Sequence, residues 1–370
     1  MSRSTAPDVG IITTGHDVAD ARLHKITAAL QHRDLSVELW GLGDADGGPE
    51  GAVVHAGPRG NLVQRLARTA VLPWRTNAKV VMTVDPDMIP VTRLVTTVRR
   101  RKFVVDVHED YERLLADRAW AQGPAGLPAR LIVRAGSKLA AGADLTVVAD
   151  SHLAPHQAKH RLVVQNLPDH GFLAPSPPIG TPRAVYVGDL RSSRGLFDMV
   201  ETVAAAPEWS LDLVGPVAQA DRDRLEARIT QPDLDGRVRL HGRQPPADAW
   251  RIAHGAWTGL AMLQPTPAFV EAMPSKIYEY LASGLPVLST RLPRQSKVIE
   301  ESGGGVLVDS VAEASETLRR WSADPGELEK LRDHALQWAA DRLPTTTPYD
   351  DLADAILNLL RGHASLKGRA

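Results

Sequence analysis

Two glutamates and one lysine lie in the segment EAMPSKIYEYLASGLPV, which begins at Glu271. Pro274 and Ser275 predict a helix start, because proline is tolerated there and the free backbone N–H groups attract phosphate. Lys276, in the first turn, is unfavourable for the helix dipole unless an anion lies beside it. Glu279 follows Ser275 by four residues, and a carboxylate can accept two hydrogen bonds from a ribose diol. The segment therefore predicts a site for a phosphate and a ribose.

A second segment, VYVGDLRSSRGL, begins at Val185 and contains a glycine turn between a predicted strand and a predicted helix. Gly188 follows the strand, and Arg191 and Arg194 precede the helix. A glycine turn with basic residues at a helix start suits a phosphate, and an arginine such as Arg194 can hold two phosphate oxygens at once. Arg191 is explained equally well as a solvated loop residue.

Weaker candidates follow two predicted strands in the first half of the chain. Gly15 and His16 come after the first strand, and His108 comes after the strand at 103–107. Ligands bind beyond the carboxyl ends of strands in open parallel sheets. Glu109 and Asp110 adjoin His108, but adjacent residues on an extended chain point in different directions, so we predict no metal site.

The elements that must position these residues alternate between short apolar runs and longer amphipathic stretches. Strands are predicted at 9–13, 36–40, 79–84, 103–107, 145–148, 184–187, 211–214, 238–241, 259–263 and 286–289. Helices are predicted at 20–33, 61–70, 195–206, 220–229, 247–254 and 275–282 and through most of 328–360. Strands that are apolar on both faces and separated by helices predict parallel sheets covered on both sides. Arg22 lies at the opening of the first helix and could reach the cleft, but an arginine on a helix surface is usually solvated.

Four prolines within residues 174–182 interrupt this pattern. Such a run cannot continue a helix or a central strand, so we predict a linker at 174–183. It separates an N-terminal domain at 1–173 from a C-terminal domain at 184–345, and a final helix within 346–370 is expected to pack back on the first domain. The predicted fold class is α/β, with two Rossmann-like doubly wound parallel-sheet domains facing a cleft.

The segment that begins at Glu271, with two glutamates separated by seven residues and then Ala-Ser-Gly-Leu-Pro-Val, resembles the signature of retaining GT-B glycosyltransferases of family 4. The resemblance implies that Glu271 faces the transferred sugar and that Glu279 binds the nucleotide ribose. It places Ser275, Lys276 and Ile277 near the diphosphate. The implied reaction moves a sugar from a UDP- or GDP-sugar to an acceptor hydroxyl with retention, without a metal or other cofactor.

The same resemblance gives roles to the other candidates. It implies a phosphate loop at Gly188, in which Arg194 takes the place of a lysine. Gly15 corresponds to a glycine loop near donor and acceptor, and His108 to a histidine that contacts the donor sugar near the reaction centre. Asp189 is a departure, because the family commonly has arginine there, and it weakens the usual pair of cations unless Arg191 substitutes.

The bulk composition excludes several other classes. A chain of 370 residues suits two domains, and a formal net charge of -1 gives no general attraction to nucleic acid. The absence of cysteine excludes disulfides, zinc–thiolate sites, iron–sulfur clusters and a cysteine nucleophile. We expect a cytoplasmic protein, since the sequence shows neither a secretory signal nor a transmembrane segment. The basic residues at 93–102 fit either contact with anionic lipid at the inner membrane face or a solvated helix end, and the sequence alone favours the second.

Two alternatives stay open. A sugar-nucleotide epimerase shares the fold but makes no glycosidic bond, and the string at 271–286 argues against it. A degenerate subunit that only binds a partner is favoured by Asp189, but such a subunit has no chemical reason to keep Glu271, Lys276 and Glu279. A Rossmann dehydrogenase is rejected, because no Gly-x-Gly-x-x-Gly follows the first strand.

Overall fold

Apolar strands assemble into two separate parallel sheets, one in each of two compact units. The computed structural model describes residues 6–108, 123, 126–168, 173–267, 269–270, 273–344 and 347–362. The first unit comprises Met1–Asn166 with Thr346–Ala370, and the second comprises Leu167–Thr345. The predicted α/β class, with two doubly wound parallel-sheet domains, is confirmed. The predicted linker at 174–183 lies within the second unit.

The first unit contains a seven-stranded parallel sheet in the order β3-β2-β1-β4-β5-β6-β7. Its strands are Val9–Asp17 (β1), Val37–Leu42 (β2), Val53–Gly57 (β3), Val80–Thr83 (β4), Lys102–Val107 (β5), Leu145–Val148 (β6) and Arg161–Val163 (β7). Its helices are Ala21–Gln31 (α1), Leu62–Arg75 (α2), Ile89–Val98 (α3), Leu127–Ala141 (α4) and Pro348–Leu360 (α12). The last helix packs on α1 and contributes Tyr349 and Ile356 to the core of this unit.

The second unit contains a six-stranded parallel sheet in the order β10-β9-β8-β11-β12-β13. Its strands are Arg183–Val187 (β8), Ser210–Val214 (β9), Val238–Gly242 (β10), Thr258–Ala261 (β11), Val287–Thr290 (β12) and Gly305–Val308 (β13). Its helices are Leu196–Ala204 (α5), Arg222–Ile229 (α6), Pro246–Ala253 (α7), Ser275–Ala282 (α8), Pro293–Ser302 (α9), Val311–Ala323 (α10) and Pro325–Arg342 (α11). Apolar layers cover both faces of the sheet.

Each sheet has one point at which the strand order reverses. In the first sheet it lies between β1 and β4, and in the second between β8 and β11. Connections leave adjacent strands toward opposite faces at such a point, which opens a crevice at the carboxyl ends of the strands. The loops after these four strands are therefore where the topology favours a ligand.

Seven elements were not predicted from the sequence, namely the strands β3, β7 and β13 and the helices α3, α4, α9 and α10. Strands β3, β7 and β13 are edge strands, and only residues 164–166 separate β7 from the start of the second unit. Edge strands are half solvated and lack the continuous apolar run of a central strand. Helix α3 begins with Ile89-Pro90 and is rich in valine and threonine, residues that indicate strand more than helix. None of the described helices is long and apolar enough to span a membrane.

Candidate functional site

Helix α8 buries its first lysine beside the sheet of the second unit. Lys276 is only 6% exposed. Its Nζ donates a hydrogen bond of 3.3 Å to the Tyr186 hydroxyl and lies 4.5 Å from the centre of that ring. Within the part of the chain that the structure describes, Lys276 has no carboxylate partner. A buried ammonium group costs several kcal/mol unless it is paired, so this position favours an anion.

The glycine turn after β8 adjoins this lysine. Gly188 has φ +141°, and a Cβ atom on it would lie 3.2 Å from the Lys276 Nζ. The turn is fixed from both ends, because Gly188 donates its N–H to the Val214 carbonyl at 2.9 Å and the Tyr186 hydroxyl donates to the Asp189 carbonyl at 3.0 Å. The structure thus brings together two candidates, Gly188 and Lys276, that lie far apart in the sequence.

Tyr280 joins α8 to β8 and thereby sets the position of Lys276 one turn earlier. The Val187 N–H donates to the Tyr280 hydroxyl at 3.1 Å, and that hydroxyl donates to the Val185 carbonyl at 3.4 Å. Burial raises the pKa of Tyr280 well above its ordinary value, so the hydroxyl stays protonated as a donor. The first turn of α8 is therefore held at the carboxyl end of β8.

Asp189 organises two arginines at the same turn. Its carboxylate pairs with Arg191 at 2.9 Å and lies 3.7 Å from Arg243, which follows β10. Among the described residues, the Nε of Arg191 is buried without a hydrogen-bond acceptor. Asp189 therefore does not simply remove a cation from this site, since it holds two arginines beside the glycine turn.

A pocket of about 270 Å³ lies between the ends of β9 and β10. Its walls include Gly215, Val217, Leu225 and Arg243. Gly215 closely approaches the glycine turn, because a Cβ atom on it would lie 2.0 Å from the Gly188 carbonyl oxygen. Gly215 thus belongs both to the pocket wall and to the contact with the turn that faces Lys276, and the mix of apolar walls with the charged residues Arg222, Glu226 and Arg243 suits a polar ring.

The remaining candidates of the second unit have different surroundings. The Arg194 guanidinium stacks over Phe269 at 5.5 Å, in the segment between β11 and α8. Ser275 and Ile277 lie in the first turn of α8, and Glu279 is buried one turn later. Glu271 lies outside the described residues, so its predicted contact with the transferred sugar stays a prediction.

A separate arrangement in the first unit joins the second half of β1 to the residue two positions after β4, Asp85. The Asp85 carboxylate accepts the Thr13 hydroxyl at 2.6 Å and the backbone N–H groups of Thr14 and Gly15 at 2.6 and 3.0 Å. These bonds hold the part of β1 that contains Gly15 against the end of β4. The sequence did not indicate Asp85, because its partners come from a segment about 70 residues earlier.

His16 and His108 meet at this part of β1. Their ring centres are 4.7 Å apart in an edge-to-face arrangement. His16 also lies 3.5 Å from an oxygen of Asp20 and 3.6 Å from an oxygen of Asp85. The predicted candidates Gly15 and His108 therefore belong to one cluster of the first unit, joined by two acidic residues.

The Asp85 carboxylate makes the stability of the protein depend on pH in the acidic range. Burial raises the pKa of Asp85, but His16 and the hydrogen bonds of Thr13 and Thr14 lower it by more, so it lies below its ordinary value. Its stabilising effect is therefore complete above the unfolded pKa of about 4 and is lost as the pH falls further.

We predict that Asp85→Asn reduces the slope of the free energy of unfolding against pH, in the acidic range, by up to about 1.4 kcal/mol per pH unit. Asp333→Asn, at an exposed site, should leave that slope unchanged, and equal curves for both variants would refute the assignment.

Arg22 is buried, contrary to the prediction of a solvated arginine. Its Nε and Nη2 donate to the two oxygens of Asp106 at 2.6 and 2.7 Å, and its Nη1 donates to the Val164 carbonyl at 3.1 Å and to the Tyr349 hydroxyl at 3.3 Å. The reason is α12, which covers this face of α1. Arg22 therefore joins β5, the segment after β7 and the C-terminal helix, and it is not part of the ligand site.

Sequence reasoning missed Tyr186, Arg243, Gly215 and Asp85. Each lies at or just after the carboxyl end of a strand. Asp85 and Tyr186 belong to strands at the two reversals of strand order, and Gly215 and Arg243 follow β9 and β10 farther along the second sheet. A signal was available for two of them, because Gly215-Pro216 and Gly242-Arg243 repeat the pattern of a glycine directly after an apolar strand. The pairing of these segments with α8 is set by the sheet order, which no local motif encodes.

A known protein family matches the second unit, which contains the candidate phosphate site. Residues 175–338 match the family described as glycosyl transferases group 1. The match lies inside the unit Leu167–Thr345, which contains Lys276, Gly188 and the pocket. No curated protein matches the sequence.

Solved structures with the same architecture cover nearly the whole chain. Sucrose-phosphate synthase from Thermosynechococcus elongatus is 16% identical, with a TM-score of 0.67 over 97% of this chain and 99% of its own. HepE from Anabaena in complex with UDP and glucose is 16% identical, with a TM-score of 0.67 over 95% and 99%. WaaG, a glycosyltransferase involved in lipopolysaccharide biosynthesis, is 15% identical, with a TM-score of 0.62 over 94% and 99%. The fold is that of GT-B glycosyltransferases, and the family match and these neighbours together support a transferase enzyme.

Proposed function

We propose that this protein transfers a sugar from a nucleotide-diphosphate donor to an acceptor hydroxyl, with retention of configuration, in the synthesis of a glycan, glycolipid or natural product. The observation that carries the proposal is the buried Lys276, which faces the glycine turn at Gly188 and has no carboxylate partner among the described residues. A diphosphate is the anion whose charge and size fit a helix start beside a glycine turn.

The departing nucleotide explains why cations are needed at this place. When the bond between sugar and phosphate breaks, negative charge develops on the diphosphate and positive charge on the anomeric carbon. Groups fixed in advance at the developing charge are the largest source of catalysis in such sites. We assign Lys276 and Arg194 to the diphosphate oxygens, with Arg191 and Arg243 as further positive charge at the turn. With these cations the transfer needs no bound metal.

The nucleotide itself fits the neighbouring pocket. We propose that the base enters the pocket lined by Gly215 and Arg243 and that Glu279 accepts hydrogen bonds from the ribose hydroxyls. Solved neighbours were obtained with UDP and with UDP-glucose, which favours a UDP-sugar over a GDP-sugar. Glu271 is assigned to the sugar hydroxyls and His108 to the donor sugar by the sequence resemblance alone. We assign no enzymatic base, since the donor phosphate can take the acceptor proton.

A nucleotide panel tests the donor site. We predict that one of UDP, GDP, ADP and dTDP, at about 100 times its Kd, raises the melting temperature of the second unit by about 5–10 °C through mass action. Glu279→Gln should remove most of that shift, because the ribose loses its acceptor, whereas Glu316→Gln at an exposed position should keep it. A panel in which no nucleotide shifts the unfolding of the wild-type protein contradicts the donor site.

Product analysis separates transfer from the epimerase alternative. The identified nucleotide sugar is incubated with a set of acceptor alcohols, and the products are separated by chromatography and identified by mass and proton NMR, because an epimerised donor has the same mass as the original. A new glycoside supports transfer, whereas an isomerised donor without a glycoside supports an epimerase and overturns the proposed reaction.

A further inference from the structure

Helix α2 turns its apolar side away from the protein. Leu62 and Val63 are 72% and 74% exposed, and the exposed stripe continues through Leu66, Val71 and Trp74. At about 100° per residue these five positions fall within one half of the helix circumference. On a helix of a folded domain that face normally packs on the core. In α2 the buried residues are Thr69, Leu72 and Pro73, so the larger apolar surface is left open.

Two neighbouring helices extend this surface. Helix α2 packs against α3, and α3 packs against α4, on the same side of the sheet. Within the described part of the chain, eleven of the fourteen most exposed large apolar side chains lie on these three helices. Besides the stripe of α2 they are Leu94, Val98, Leu127, Leu131, Ile132 and Leu139. Such a concentration marks an interaction surface, since exposed apolar residues are normally scattered singly.

The same helices carry positive charge and no negative charge. Residues 62–75 contain three arginines, residues 89–102 contain five basic residues and residues 127–141 contain three, whereas none of these ranges contains an aspartate or glutamate. The whole chain has a formal net charge of -1, whereas these three ranges hold eleven basic residues, of which Arg65 and Lys102 pair with Asp87 and Asp144. Arg99 stacks over Trp74 at 5.3 Å, and this places a guanidinium at the edge of the apolar stripe.

We propose that the outer side of α2, α3 and α4, together with residues 99–102, is a docking surface for an anionic lipid bilayer. An apolar stripe bordered by basic residues enters the boundary between headgroups and acyl chains, where each lysine or arginine gains from the negative surface potential. The sequence alone favoured a solvated helix end at 93–102, and the open apolar stripe beside that cluster changes this interpretation.

A second copy of the chain fits this surface less well than a bilayer. In a symmetric dimer the same patch lies on both sides of the interface. Two copies would then place two such basic surfaces against each other, and the acidic partners of this surface among the described residues, Asp87 beside Arg65 and Asp144 beside Lys102, are too few to balance them, so such contacts are repulsive. Anionic lipid supplies the opposite charge and an apolar phase together.

Vesicle co-sedimentation of the full-length protein tests the proposal. We use vesicles of phosphatidylcholine alone and vesicles in which about one lipid in three is phosphatidylglycerol, at about 0.1 M and about 0.5 M salt. The wild-type protein should bind the anionic vesicles and bind more weakly at high salt. Leu62→Gln/Leu66→Gln and Arg134→Glu/Lys138→Glu should each weaken binding by about tenfold or more, because one loses apolar burial and the other loses charge.

A matched variant on the second unit controls for net charge. Lys297→Glu/Lys330→Glu makes the same charge change at exposed positions of α9 and α11 and should bind anionic vesicles as the wild type does. Circular dichroism checks that each variant is folded. The proposal is overturned if the wild-type protein stays in the supernatant with anionic vesicles, or if the surface variants bind as tightly as the control. It is also overturned if the wild type sediments as a dimer that Leu62→Gln/Leu66→Gln dissociates without any lipid binding.

Discussion

Replacement of Lys276 by methionine should lower the rate of sugar transfer by about 10²–10³-fold, the usual effect of removing one group that stabilises transition-state charge. Methionine keeps the length of the side chain and its packing against Tyr186, and it removes the only charge that the buried position carries. Initial rates of nucleotide release and of glycoside formation measure the effect, with the donor that the nucleotide panel identifies.

The kinetic pattern distinguishes this role from a general loss of folding. Lys297→Met, at an exposed position, should leave the rate unchanged, and Lys276→Met should melt at or above the wild-type temperature in the absence of nucleotide, because it removes a buried charge that has no counterion in the described part of the chain. Because the charge acts on the departing diphosphate, kcat should fall more than KM rises. A Lys276→Met variant with near wild-type kcat would show that the lysine is only a packed side chain.

The second large effect concerns stability. We predict that Asp106→Asn lowers the free energy of unfolding of the first unit by about 3–5 kcal/mol, because it leaves the Arg22 guanidinium buried without a counterion. The asparagine preserves the size of the side chain, so the loss reports charge and hydrogen bonding. Denaturant unfolding followed by tryptophan fluorescence gives the change in midpoint.

Two further variants locate the origin of that loss. Asp354→Asn breaks the surface ion pair between Arg33, just after α1, and Asp354 on α12, and should cost less than about 1 kcal/mol. The double variant Arg22→Met/Asp106→Leu should recover most of the stability, since an apolar pair of similar volume avoids the desolvation penalty. An Asp106→Asn variant as stable as Asp354→Asn would contradict the account of this buried pair.

The sequence was sufficient to predict those elements and site residues whose structure is decided by neighbouring residues in the chain. The central strands were found because they are apolar on both faces, as in β4, where all four residues are buried. Helix α8 was placed at Ser275–Ala282, since Pro274 and Gly284 mark its two ends. Lys276 and Gly188 were identified as candidates because each stands beside a local signal, a helix start or a glycine turn.

What the sequence could not provide depends on contacts between distant segments. Strand β1 continues to Asp17, beyond its predicted end at Thr13. Within that extension Thr14 and Gly15 donate their backbone N–H groups to the Asp85 carboxylate. Asp189 looked like the loss of a cation, yet its partner Arg243 comes from the end of another strand. The open face of α2 was also hidden, because a periodic apolar stripe predicts a helix but not the side that the domain covers.

The central claim is that the second unit binds a nucleoside diphosphate through Lys276, and calorimetric titration tests it most directly. The nucleotide that stabilises the protein is titrated as nucleoside, monophosphate and diphosphate into the wild type and into Lys276→Met. We predict that the diphosphate binds the wild type at least about tenfold more tightly than the nucleoside and that Lys276→Met removes most of this difference while its affinity for the nucleoside stays the same. Equal affinity for nucleoside and diphosphate in the wild type, or the same preference in both proteins, would contradict the account.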